Sequence, residues 1–295
     1  MSTPATSYSP PAALCAPSSL DSLSSLDSRP STPESHSFAQ CFHTQCRVIG
    51  ALIMREMLTR FGRHNIGFMW MFVEPMMFTL GVTILWNIMG GHKGDGISIT
   101  AFVLTGYSTI LLWRNMPGRC VLALPPNYSL LFHRQVKPLD VYISRIILEA
   151  VGATISFIIL TILFHAMGLV EWPKDYITLW AGWFLLAWYA ASLGLFIGAL
   201  SERSEIVEKL WHPCQYLLIP LSGSFFLAES LPPAFREIVL YNPTVNCAEM
   251  FRAGYFGPTH QWYYSVGYVV IFNMVLMLLG LIQVRYVSKT LVLAE

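Results

Sequence analysis

Two stretches decide what kind of molecule this is: IILEAVGATISFIILTILFHAMGLV (146–170) and ITLWAGWFLLAWYAASLGLFIGAL (177–200). Both are almost unbroken apolar runs, with Glu149 and His165 in the first and no ionisable group but the Tyr189 hydroxyl in the second. At a helical rise of about 1.5 Å per residue, about 17 to 25 such residues match a ~30 Å hydrocarbon layer. Four further segments qualify when read outward from this pair: Ile66 to Met89, Ile97 to Trp113, Leu210 to Leu227 and Val266 to Val284. The second of these is short, and the third contains Pro213 and Pro220. Period-two alternation is absent, so a β-barrel is not expected. The reading is an all-α integral membrane protein with six transmembrane helices over residues 66–295.

Composition agrees. Of 295 residues, 54% are apolar and 12% charged, against about 25% charged in an average soluble domain. A water-soluble globule of this make-up would expose too much apolar area, which excludes an ordinary soluble enzyme. Eighteen Lys and Arg stand against 17 Asp and Glu. That balance lacks the basic surplus of a nucleic-acid binder.

Orientation follows from where the cations fall. Arg47, Arg55, Arg60 and Arg63 precede the first span, Arg114, Arg119, Arg134, Lys137 and Arg145 join the second to the third, and Arg203, Lys209, Arg285 and Lys289 complete the set. The opposite side holds Lys93, Lys174, Arg236 and Arg252. Thirteen against four places both termini in the cytoplasm. Residues 1–37 are rich in Ser and Pro, lack the pattern of a signal peptide, and read as a disordered tail. Residues 38–65 follow as an amphipathic interface helix, with Phe42, Cys46, Ile49, Ile53 and Met57 on one face and Arg47 and Arg55 off it. It serves either as a topology anchor or as a moving part of a gate.

Catalytic motifs are missing. The sequence has no GxxxxGK[ST], HExxH, CxxC or GxSxG, so no P-loop, metal site or catalytic nucleophile is expected in this chain. Six cysteines, of which topology turns only Cys247 outward, give no disulfide within the chain. Glu74, followed by Pro75, sits within the first span, where a charge costs about 2.5–3.5 kcal/mol. It either lines a polar path or is satisfied structurally by a neighbouring helix. Arg145 and Glu149, at i and i+4, are expected to pair with each other, and His165 to be a satisfied polar group.

Two connections are too apolar for plain loops. In Arg114–Asp140, Pro125-Pro126 breaks the chain, Asn127 is positioned as an N-cap, and Leu130, Leu131 and Phe132 form a short apolar patch before His133, Arg134 and Lys137. Such a helix docks either on another protein or on the membrane surface. In Ala228–Pro258, short helices are expected over Pro233–Tyr241 and Val245–Ala253 around the Asn242-Pro243 break, as re-entrant or interfacial elements. Tyr241, Asn242, Pro243, Glu249 and Arg252 are the outer-gate candidates, with Glu249 and Arg252 spaced to pair. Trp172, Trp180, Trp183, Trp262, Tyr263 and Tyr264 suit a membrane-interface belt. The alternative for Trp70, Phe72, Tyr107 and Trp183 is to turn inward as stacking faces along a sugar path, with Glu74.

Three sets of residues carry a family resemblance: GYST (106–109) with LWRNM (112–116), HRQVKPLD (133–140), and Asn242-Pro243 with EMFRAGYFG (249–257). Together with the span count they resemble the ABC-2 permeases that export capsular polysaccharide in Gram-negative bacteria. The resemblance covers about Phe38 to Glu295. It implies a permease in the inner membrane that works as a homodimer, with two copies of a separate ATPase that holds ATP and Mg. It further implies a coupling role for Arg114, Asn115, Leu130, Leu131, His133, Arg134 and Lys137, and a lipid-linked, acidic polysaccharide passed to periplasmic adaptor and outer-membrane proteins. The general pattern also fits O-antigen and teichoic-acid exporters. An ion-coupled carrier and a membrane-embedded transferase have no supporting motif.

Overall fold

The computed structural model describes residues 38–61, 66–88, 97–131 and 136–293. Every regular element among them is helical. In chain order these are α1 (Phe38–Phe61), α2 (Ile66–Ile88), α3 (Ile99–Cys120), α4 (Tyr128–Leu131), α5 (Pro138–Ala166), α6 (Tyr176–Ser201), α7 (Glu205–Leu218), α8 (Pro233–Leu240), α9 (Pro243–Phe256) and α10 (Val266–Leu293). Contacts divide the chain into Met1–Phe42 and His43–Glu295, and every contact below lies within the second unit. The expected 1–37 tail lies outside the described residues.

Among the described residues, three helices are long and apolar enough to cross a membrane: Pro138–Ala166, Tyr176–Ser201 and Val266–Thr290. They carry the apolar runs that the sequence marked as spans three, four and six. α5 starts eight residues before the apolar run of the expected third span. Pro138 occupies its first turn, where a missing N–H costs nothing, and Asp140 Oδ2 accepts the Lys137 N–H at 2.9 Å. α3 likewise runs seven residues past Trp113, through Pro117. Hydropathy overlooks these turns because they carry Ser, Asp and Arg.

The expected fifth span, Leu210 to Leu227, does not form as one helix. α7 stops at Leu218 after 14 residues, about 21 Å of rise. A 3-10 turn at Pro220–Ser222 follows, and Gly223 takes φ +80°, a conformation that L side chains resist. Proline and glycine together end the helix part-way through the apolar run.

α6 is the centre of the fold, with α3, α9, α10, α5 and α7 all against it. Small residues permit close approach: a Cβ on Gly182 would stand 2.7 Å from the Phe251 backbone nitrogen, and one on Gly198 would stand 2.8 Å from the Tyr142 ring. Around this contact Trp183, Phe157 and Phe251 pack with centroids 5.1–5.5 Å apart, Phe157 stacked on Trp183 and edge-on to Phe251. α5 and α10 turn Val151, Ile155, Ile159, Ile271, Leu278 and Ile282 outward, the pattern of faces that meet hydrocarbon rather than water.

Candidate functional site

Two polar constructions stand at opposite ends of α3, α5 and α6. The first gathers at the end carrying the α3–α5 connection. After α3, Leu122 adopts φ +48°, and the loop is then held by α6: the Leu122 N–H donates to Ser201 Oγ at 3.4 Å and the Leu124 N–H to Glu202 Oε1 at 3.2 Å. Burial raises the Glu202 carboxyl above the ordinary range, against the opposing pull of the Leu124 N–H and Arg145. Asn127 Nδ2 donates to the Ala123 carbonyl at 2.8 Å.

α1 closes over this loop. Its Arg55 donates to Asn127 Oδ1 and, at 3.2 Å, to the Pro126 carbonyl. Gln45 donates to Asp140 on α5, and Glu56 lies 3.4 Å from Arg145. Leu52 is buried and Val48 half-buried beside Tyr142 and Leu124. Gln45, Val48, Leu52 and Arg55 therefore form the docking face, not the Phe42–Met57 stripe, and Arg55 points into the structure. Sequence periodicity detects the apolar stripe alone; the docking face is mixed and needs a polar partner 70 or more residues away.

Several expectations change at this end. Arg145 and Glu149 do not pair with each other. Arg145 faces Glu56 and donates to the Arg119 carbonyl at 2.8 Å, while Glu149 lies 3.5 Å from Arg119. Neighbouring helices offer better-placed partners than the next turn of the same helix. Asn127 precedes α4 as expected, but its side chain serves Arg55 and Ala123. Leu130 and Leu131 are half-buried against this chain's own core rather than presented as a patch. What α4 and its approach expose is Pro125, Pro126, Tyr128 and Ser129. Arg114 and Asn115 lie inside α3, where the Arg114 guanidinium stands 5.4 Å from the Tyr216 ring. Lys137 is exposed before α5, and His133 and Arg134 lie outside the described residues.

The second construction surrounds the break after α7. Fully buried Arg252 on α9 donates through Nη1 to the carbonyls of Gly223 (2.7 Å) and Phe226 (2.8 Å), and through Nη2 to that of Ser224. Its guanidinium also lies 4.3 Å from the Phe102 ring centroid. Glu249 Oε1 accepts the Ala228 N–H at 3.0 Å. Both groups thus serve the irregular backbone instead of forming the expected Glu249–Arg252 pair. Gly106 on α3 leaves the space: a Cβ there would collide with the Ser224 carbonyl. Thr109, Ser222 and Ser224 join through hydroxyl contacts of 3.2 and 2.9 Å. Irregular backbone in an apolar surround survives only where protein satisfies it, and one arginine satisfies three carbonyls here. The Ser222-Gly223-Ser224 triplet is the local sequence signal for this turn.

α8 and α9 occupy the two stretches read as short helices. Asn242 caps α9, accepting the Thr244 N–H at 3.1 Å, and donates to the Leu221 carbonyl at 3.0 Å. Pro243 takes the first helical position. Tyr241 sits exposed at the corner.

Of the aromatic candidates, Trp183 is buried at 1% exposure and donates to Thr154 Oγ1 at 2.9 Å, so it lines no path and belongs to no belt. Tyr107 is half-buried and stacks on Phe78 with centroids 4.1 Å apart. The side chains of Trp70, Phe72 and Glu74 lie outside the described residues. His165 reaches the Val170 carbonyl at 2.9 Å, as a satisfied polar group should. At this end Asp175 caps α6, accepting the N–H of Ile177 and Thr178 and the Thr178 hydroxyl, which hold its carboxyl below the ordinary range. Among the described residues no His, Cys, Asp and Glu cluster could hold a metal.

Comparison with known proteins bears on what these constructions serve. The ABC-2 type transporter family matches residues 47–256. The Neisseria meningitidis capsule polysaccharide export inner-membrane protein CtrC is 42% identical over 253 residues, covering 86% of this chain and 96% of CtrC. Its Haemophilus influenzae counterpart by name, BexB, is 39% identical over the same shares. The Escherichia coli polysialic acid transport protein KpsM is 25% identical over 244 residues, 83% of this chain and 95% of KpsM.

Proposed function

The chain belongs to the ABC-2 type transporter family, and from that premise we propose that it is the membrane permease of a capsular polysaccharide exporter. The observation that carries this reading is identity of 39–42% running over 96% of proteins named for capsule export in the inner membrane. The polymer is acidic and lipid-linked, and moves outward across the inner membrane. ATP and Mg bind a separate ATPase, two copies of which serve two copies of this chain; periplasmic adaptor and outer-membrane proteins receive the product.

In this reading the six crossings are α2, α3, α5, α6, α7 with its broken continuation, and α10, with both termini in the cytoplasm. α8 and α9 dip in from the outer side as a re-entrant pair. A second copy is supported by α7 and its extension, where Ile206, Leu210, Leu217 and Leu221 lie exposed at spacings of four, seven and four.

The ATPase docks on the α3–α5 connection. A push on Pro125–Leu131 passes through Asn127 to Arg55 on α1, and the movement reaches α5 through Gln45–Asp140 and Glu56–Arg145. The chain's chemistry is therefore mechanical, and no residue of it acts as a catalyst.

Reconstitution with the cognate ATPase tests this. ATP-driven polymer transport is expected only with both chains present; hydrolysis by this chain alone, or transport on an ion gradient without the ATPase, overturns it. Reversing charge at Arg134 and Lys137 should leave insertion and hydrolysis intact while export falls. Unchanged export removes the loop from coupling.

A further inference from the structure

A recess of 490 Å³ opens between α8, the start of α9, the extended stretch before α10 and the first turn of α10. That volume lies within the roughly 300–1,000 Å³ of small-molecule sites. Five of its lining residues are aromatic: Tyr241, Trp262, Tyr263, Tyr264 and Tyr268. Three of these rings are fixed in place. Trp262 donates to the Gly257 carbonyl at 2.8 Å and lies parallel to Phe256. The Arg236 guanidinium sits 4.2 Å from the Tyr263 ring centroid, and the Tyr268 hydroxyl donates to the Tyr241 carbonyl at 2.7 Å. Asn246 ties the walls together, donating to the Leu240 carbonyl and accepting the Ser265 N–H. Tyr241 and Tyr264, at 74% and 39% exposure, leave ring surface open.

A belt residue faces outward around a circumference, whereas these rings converge on one concavity whose remaining lining is Glu237, Asn246, Ser265 and a single leucine. Flat rings take the C–H faces of pyranoses, and the exposed Ser265 hydroxyl at the edge suits their hydroxyls. Because three of the five rings are already held, less ordering accompanies binding. We propose that this recess is an outer-face holding site for a short stretch of the exported glycan; it rests on the export reading above. It takes hold of emerging sugars and so opposes backward slip between strokes of the ATPase.

The test uses the full chain with its ATPase in nanodiscs for calorimetry and in vesicles for transport. The probes are an α2,8-linked sialic acid tetramer and oligosaccharides cut from the surface polymer of the producing cell. Binding of at least one probe is expected, weakened about ten-fold by Tyr241→Ala or Tyr264→Ala, kept by Tyr→Phe, and matched by slower export in the Ala variants. Wild-type export without binding of any probe overturns the recess and leaves the exporter standing. So does unchanged binding in both Ala variants. Ala variants that alter retention of spin-labelled phospholipid but not of oligosaccharide assign the recess to headgroups and likewise overturn it. Wild-type vesicles that move no polymer remove the export reading and this site with it.

Discussion

The two ends of the molecule use arginine differently. At the α1 end, Arg55 and Arg145 each join a side chain, Asn127 or Glu56, to one exposed carbonyl, of Pro126 or Arg119. At the α9 end, Arg252 and Arg236 bind backbone carbonyls, of Gly223, Ser224 and Phe226 in one case and of Ala228, Glu229 and Leu231 in the other. Pairs between side chains tolerate relative motion, since either partner can re-form its bonds with water. Carbonyls in an apolar surround have no such substitute. In the coupling reading proposed above, the first end suits transmission of displacement, while the second holds a broken helix in place.

That contrast predicts a ranking. Arg252→Ala is the most damaging change, leaving three carbonyls without donors at a cost of about 3–5 kcal/mol. Little folded protein is expected by size-exclusion in detergent, and Arg252→Lys should not restore it, because an ammonium cannot fork across three acceptors. An Arg252→Ala protein that melts with wild type would erase the distinction. Gly254→Ala comes next: its Cβ would meet the Leu179 backbone, so a loss of about 1–3 kcal/mol is expected as a lowered melting temperature. Arg55→Ala should lower stability by less than about 1.5 kcal/mol, yet export per ATP hydrolysed should fall steeply in vesicles. Equal losses of stability and coupling would mean that α1 is merely structural.

The smallest effect is one of pH. The Asp175 carboxyl is held below its ordinary range, so its contribution is present above the unfolded value and fades as pH falls through the depressed one. Glu202 is raised, so its contribution is present below the unfolded value and is lost as pH rises through the elevated one. Melting curves should therefore show the Asp175→Asn deficit shrinking toward acid, and the balance moving in favour of Glu202→Gln toward alkali. Parallel curves would contradict both assignments.

What the sequence could reveal depended on whether its signal was local. α8 and α9 were legible because Asn242-Pro243 and the flanking turns announce themselves within a few residues. α5, α6 and α10 were legible because an apolar run of their length has one solution in lipid. The break inside the fifth apolar segment is not legible because hydropathy averages over Pro220 and Gly223, and the partner that makes the break tolerable, Arg252, lies 29 residues beyond Gly223. Trp183 went astray for a related reason: an indole near a helix end reads the same whether it faces lipid or Phe157. Arg145 and Glu149 obeyed the helix-spacing rule on paper, and lost to Glu56 and Arg119 across the interface.

α6 has glycine at 182, 194 and 198, each placed where a neighbouring helix comes close, and Asn273 of α10 anchors to its Leu185 carbonyl at 3.1 Å. Notches of this kind key three partners to one shaft. A probe fixed to that shaft is the natural reference against which displacement of its neighbours would be measured.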